Sequence, residues 1–275
     1  MAEYTLRSDA LLSMIREGQP MTRGQKLSLA VRLSIPAIIA QLSSILMQYI
    51  DASMVGSLGA ASSAAVGLVA PTTWLFTGTC SAVAAGFTVQ VAHKIGSNDW
   101  YSARIILKQA ITSTLIFSMF LAAIGIAVSS GLPVWLGGDE SIRKDASLYF
   151  MLFASFIPAM QLNYLAGGML RCSGNMRVPS LIGVLMCALD VVFNFFLIFP
   201  TRECHISGMT FTIPGAGLGV EGAALGTAAA ATTAAAILLY FLFRTPAYSI
   251  GSLPLRPGNW LRATVLRAVP LSLLS

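Results

Sequence analysis

Three acidic residues lie in or at the edge of long apolar stretches: Asp51, Asp190 and Glu221. Asp51 stands alone, because residues 33–50 before it and 52–92 after it carry no charge. Asp190 is followed four residues later by Asn194, and on a helix that spacing puts both on one face. An ionised side chain at mid-bilayer costs on the order of 3 kcal/mol by insertion scales. Such a residue is expected to turn toward the protein interior and to be used. Burial lets a carboxylic acid hold a proton more readily than in water. Carboxylate oxygens, with an amide carbonyl, are also suitable hard ligands for a small cation. A carboxylate that can take a proton, a metal ion or an organic cation is an exchange device. Binding one guest removes the charge that attracts the next, and the coupling between guests is reciprocal. The blander alternative makes Asp51 a helix cap near an interface and Asp190/Asn194 a polar bridge between helices.

The elements that must position these residues follow from composition. Of 275 residues, 56% are hydrophobic and 10% are charged, against roughly 25% charged in a soluble domain. The apolar residues come in blocks, and a span needs about 20 of them in a row. Such blocks occur at 33–54, 64–92, 109–135, 146–170, 178–201 and 222–243. The expected fold class is therefore all-α: a polytopic membrane protein with a six-helix transmembrane lobe. A β-barrel is disfavoured, since its strands would alternate over about 10 residues. The expected organisation is an amino-terminal tail over 1–28, the six-helix lobe over 29–245, a linker over 246–267 and the start of a seventh helix over 268–275. Asp51 falls in the outer part of span one and Asp190 near the middle of span five. The acids and Asn194 can share a chamber if those two spans are neighbours.

The net charge is +6, and of the 17 Lys and Arg residues all but Arg143, Lys144 and Arg202 fall on one side of this topology. Cytoplasmic loops carry the Lys/Arg excess, so the amino terminus is expected to be cytoplasmic, in the cell membrane. That distribution argues against nucleic acid as a partner. The polar first 28 residues do not have the form of a secretory signal; "YTLRSDALLSMIRE" is either a surface amphipathic helix or a tail. Cys80, Cys172, Cys187 and Cys204 form no CxxC pair, which speaks against a structural metal or a disulfide framework. Pro36 and Pro158 fall inside spans one and four and are expected to bend them. Ala82/Gly86 and Gly222/Gly226 allow close helix approach. "GLGVEG" at 217–222 satisfies G-x-G-x-x-G, but a dinucleotide site needs a preceding strand in a βαβ unit and an acid about 20 residues on, whereas an Ala-rich membrane helix follows here and no acid occurs after Glu221. It is expected to be an outer loop and the start of span six, with Glu221 in a first turn that favours negative charge.

"VRLSIPAIIAQ" in span one is echoed by "VLRAVPLSLLS" at the end of the chain, as parallel repeats in transporters would be. Four segments in order then carry a family resemblance. "IPAIIAQLSSILMQYIDASMVGSLG", with Pro36, Gln41, Asp51, Gly56 and Gly59, resembles the first helix of multidrug and toxic compound extrusion (MATE) transporters. "VQVAHKIGSNDWYSAR", with Gly96 and Asp99, resembles their second cytoplasmic loop. "GGMLRCSGNMRVPS", with Gly168, Arg171, Gly174 and Pro179, resembles the loop before span five, and "GVEGAALGT" the start of helix six.

The resemblance implies one half of a twelve-helix, two-lobe transporter. That transporter would export amphipathic, often cationic compounds in exchange for protons or sodium ions, and would be no enzyme. It implies a missing second lobe or another half-transporter as partner, small organic cations and membrane lipids as contacts, and no cofactor beyond the coupling ion. Asp51 matches the family's first-helix Asp. Span five of many relatives has Asn first and Asp or Asn four residues on; here Asp190 comes first and Asn194 second. The expected exchange site is Asp51, Asp190 and Asn194, the three also being candidate sodium ligands, with Gln41, Tyr49 and Met54 beside them. Pro36, Gly56, Gly96, Gly174 and Pro179 are expected to be structural. Met54, Met186, Phe193, Phe195 and Phe196 offer soft, aromatic surface for apolar cations. Two alternatives remain at this point: a lipid or polysaccharide flippase of related fold, and a membrane-embedded enzyme. For the enzyme, His93 and His205 lie on opposite sides of the membrane, and no H-E-x-x-H occurs.

Overall fold

The computed structural model describes residues 11, 13, 14, 18–206 and 209–245. The expected linker over 246–267, the seventh-helix start over 268–275 and most of the amino-terminal tail lie outside the described residues. Helix α1, Arg23–Gly56, opens on a reciprocal cap: Gln25 N–H donates to Thr22 Oγ1 at 3.3 Å, and Thr22 N–H donates to Gln25 Oε1 at 2.9 Å. The cap explains why the helix begins inside the stretch expected to be tail, since two orphan donors of the first turn are satisfied there.

Helix α2 spans Ala60–Gly96 and α3 spans Trp100–Val128, with Asp99 capping α3 by accepting from Ser102 N–H at 3.1 Å. After α3 come the one-turn α4, Leu132–Trp135, then α5, Glu140–Ser155, and α6, Ile157–Cys172. Helix α7 is Arg177–Ile198 and α8 is Val220–Arg244. Between them lies an antiparallel hairpin of β1, Pro200–Ile206, and β2, Met209–Ala216.

Five of these helices are long and apolar enough to cross a membrane, and α5 with α6 makes a sixth as a pair bent by 46°. The six-span arrangement agrees with the sequence, with three differences. The third helix ends at Val128, because Ser129, Gly131 and Pro133 interrupt it and only α4 follows. It starts at Trp100, so Arg104 and Lys108 sit in its first turns, where long basic side chains can reach toward the membrane surface. Span four is two helices rather than one, broken at Phe156 just before Pro158. Pro36, by contrast, lies within the unbroken α1. The hairpin adds strand to an otherwise all-α fold.

Helix α1 lies along α7, and α7 lies along α8. Helices α5 and α6 pack against α2, α3 and α8. The largest apolar cluster joins Phe87, Leu107, Leu165, Met169, Leu170 and Leu238. A second surrounds Phe150, whose ring meets Phe76 edge-on at 5.6 Å. Small residues set the spacing. A Cβ on Gly222 would stand 2.5 Å from the Leu197 carbonyl oxygen, and one on Gly168 would stand 2.7 Å from Thr88 Oγ1.

Gly56 and Gly96 close α1 and α2, and Pro179 sits in the first turn of α7. Gly174 turns the chain before α7 with φ at 87°, a conformation that favours glycine. The "GLGVEG" segment leads into a membrane helix: Gly219 precedes α8, and Glu221 is in its first turn. The N–H groups of Gly217, Leu218 and Gly219 donate to the carbonyls of Phe199, Leu197 and Ile198 at 2.9–3.0 Å. These bonds satisfy the free carbonyls at the end of α7 and fix α8 beside it.

Candidate functional site

The pairing of α1 with α7 brings the two aspartates together. Asp190 and Asn194 are fully buried on α7, at 0% exposure. Asn194 Nδ2 donates to Asp51 Oδ1 at 2.9 Å and to Asp190 Oδ2 at 3.1 Å. One amide nitrogen thus bridges two carboxylates on two helices. Asp190 Oδ1 and Asn194 Oδ1 are buried and accept no hydrogen bond from the described residues. Unpaired buried acceptors are costly, and the two carboxylates meet at one amide with no Lys or Arg among the described residues that line the adjoining cavity.

Helix α8 closes the site from behind. A Cβ on Gly226 would fall on the Asn194 amide oxygen, so only glycine leaves α8 this close to α7. One residue on, Thr227 lines the cavity onto which Asp51 opens. That cavity has a volume of about 340 Å³, and its wall includes Gln48, Trp74, Tyr149 and Asn194. No Lys or Arg is among the described residues that line it. Its size falls within the roughly 300–1,000 Å³ of small-molecule sites.

Of the residues expected at the site, Asp51, Asp190 and Asn194 come together, Met54 packs against the cluster of Val55 and Ala223 that lines the same cavity, and Gln41 and Tyr49 lie apart. Gln41 lines a different cavity with Ser44 and Asn163. Ten residues of helix separate it from Asp51, about 15 Å along the axis. Tyr49 is 72% exposed, because two residues on a helix turn a side chain to the opposite flank. Met54 packs beside Val55, Ile198 and Ala223. Met186 lines Gln41's cavity, where its sulfur accepts from Asn163 Nδ2 at 3.4 Å. Phe195 and Phe199 hold the Arg202 guanidinium over their rings at 5.0 and 4.3 Å.

Sequence reasoning missed Gln48, Tyr149, Thr227 and the role of Gly226. Gln48 had a usable signal, since it sits three residues before Asp51 and on its face.

Comparison with known proteins follows the same lines. The MatE family model matches residues 36–196, more than half of the chain. An FAD transporter from Shewanella oneidensis is 25% identical over 181 residues, which is 65% of this chain and 40% of the relative. A probable multidrug resistance protein NorM from Thermotoga maritima is 22% identical over 230 residues, 84% of this chain and 47% of the relative. The solved structure of a MOP superfamily transporter from Pyrococcus furiosus superposes with a TM-score of 0.75 at 24% identity, covering 93% of this chain and 55% of that one. This chain therefore spans less than half the length of these two curated relatives. With the family model matching across α1 to α7, the chain belongs to the MatE family.

Proposed function

We propose that this chain forms one lobe of a cation-coupled exporter, in which Asp51, Asp190 and Asn194 exchange a proton or sodium ion for an amphipathic organic cation. The observation that carries the reading is the shared amide. Asn194 Nδ2 occupies the space between two carboxylates while Asp190 Oδ1 and Asn194 Oδ1 have no partner among the described residues. The polarised N–H₂ group stands in for a positive guest. Turning that amide over would present its carbonyl, with both carboxylates, to a cation. The Thr227 hydroxyl lines the same cavity and supplies a further oxygen.

Exchange follows from charge. With the charge of the carboxylate pair reduced by a proton or sodium ion, the chamber wall around Asp51 attracts a larger cation less. With an organic cation at Asp51, less negative charge is left to hold the small ion. The Trp74 and Tyr149 rings in the same wall suit a cation with an apolar body. The family supports transport in general, and one relative carries the name multidrug resistance protein. Another is an FAD transporter, so the choice of an organic cation rests on the acidic, cation-free chamber. The test is Asp51→Asn in the transporter that contains this chain. Loss of drug export with normal membrane abundance is expected; export at the parent level would refute the exchange role.

A further inference from the structure

The far end of the lobe carries the opposite charge. Arg171 lies in the last turn of α6 and is exposed. It borders two cavities that share no residue with the Asp51 chamber, of about 310 and 470 Å³. Among the described residues it has no ion pair, the one ion pair there being Lys94–Asp99 at 3.2 Å.

Its seat is built. Gly168 brings α6 so close to α2 that a Cβ would stand 2.7 Å from Thr88 Oγ1, and Cys172 Sγ donates to the Thr88 carbonyl at 3.3 Å. The guanidinium folds back over Gly167, whose absent Cβ would lie 3.6 Å from Nη2. The Tyr164 hydroxyl group belongs to a residue that lines both cavities, two turns back on the same face. The larger cavity adds the Gln41 amide and the Ser44 hydroxyl, and its remaining wall is largely apolar, with Ile182, Met186 and Leu238.

A dipole at the helix end favours a cation in this turn, but it does not fill a planar fork of N–H donors. Such a fork matches carboxylate and phosphate oxygens two at a time. We propose that the Arg171 cavities bind an oxyanion, a phosphate or carboxylate group attached to an apolar body, at a site separate from Asp51. An anionic lipid headgroup and a soluble organic anion present the same chemistry.

The experiment titrates phenyl phosphate into the purified full chain in neutral detergent by calorimetry. The parent is expected to bind, and Arg171→Gln to weaken binding about tenfold or more, with helicity unchanged by circular dichroism. Asp51→Asn and Arg143→Gln are expected to bind as the parent does. Should Arg171→Gln not fold, Ser44→Leu, which fills the larger cavity, is expected to give the same loss. Repeating the titration in phosphatidylglycerol and phosphatidylcholine nanodiscs separates the sources. Weaker binding in phosphatidylglycerol alone assigns the site to a lipid headgroup, and equal binding assigns it to a soluble anion. The proposal is overturned if the parent does not bind, if Arg171→Gln binds as tightly, or if Arg143→Gln weakens binding equally, which would mean diffuse surface charge. None of these outcomes bears on Asp51.

Discussion

Gly226 on α8 leaves the space that the Asn194 amide oxygen fills on α7. The contact orients the amide, because its oxygen is held toward α8 while its nitrogen reaches both carboxylates. Gly226→Ala should push the amide out of that orientation. Overpacking of this kind costs about 1–3 kcal/mol, so a lower melting midpoint is expected together with a loss of ion-coupled export. Normal coupling in a variant that still folds would show that the amide's orientation is irrelevant.

Asn194→Ala removes the amide that donates to both carboxylates. Leaving buried acceptors unpaired costs about 1–3 kcal/mol each, and the two carboxyl groups then face each other unbridged, repelling wherever both are ionised. Protonating one relieves that repulsion. The gap in melting midpoint between Asn194→Ala and the parent should therefore narrow as pH falls. A gap that stays constant from alkaline to acidic pH would count against direct repulsion between Asp51 and Asp190.

Asp190→Asn keeps the shape of the site and removes one charge from an oxygen pair of which Oδ1 has no partner. The expected result is export whose dependence on pH or sodium differs from the parent's, measured in vesicles with imposed gradients. Identical ion profiles would remove Asp190 from the coupling site.

The chemistry-bearing core of the site was legible because a carboxylate in a charge-free stretch has few uses. Asp51, Asp190 and Asn194 could be named from their isolation and their spacing alone. Their helical neighbours could not. Thr227 and Gly226 sit in an Ala-rich run where each reads as generic packing, and only the closeness of α8 to α7 gives them a part. Gln41 and Tyr49 were placed beside Asp51 within the segment that carries the family resemblance, and a helix converts their separations from it into about 15 Å of rise for the first and an opposite flank for the second.

The six spans were legible from apolar blocks. The bend in span four was legible from Pro158, which stands just after the break at Phe156. The bend expected at Pro36 did not break α1, and the hairpin over 200–216 was not legible, because its pairing depends on how α7 ends and α8 begins.

Gly125→Ala tests the helix packing independently of the site. Its Cβ would stand 2.7 Å from Ala154 Cβ and 3.2 Å from Phe76 Cε1, between α3 and α5. A destabilisation of about 1–3 kcal/mol is expected, with ion selectivity unchanged in whatever fraction folds. No change in melting midpoint would place α3 and α5 farther apart than they are here.

The most direct measurement is competition for the chamber. Binding of tetraphenylphosphonium to the purified transporter containing this chain should weaken as sodium or acid is added, in proportion to whichever ion couples, and Asp51→Asn should abolish that dependence. An affinity indifferent to both ions in the parent would contradict the claim that Asp51, Asp190 and Asn194 hold one positive guest at a time.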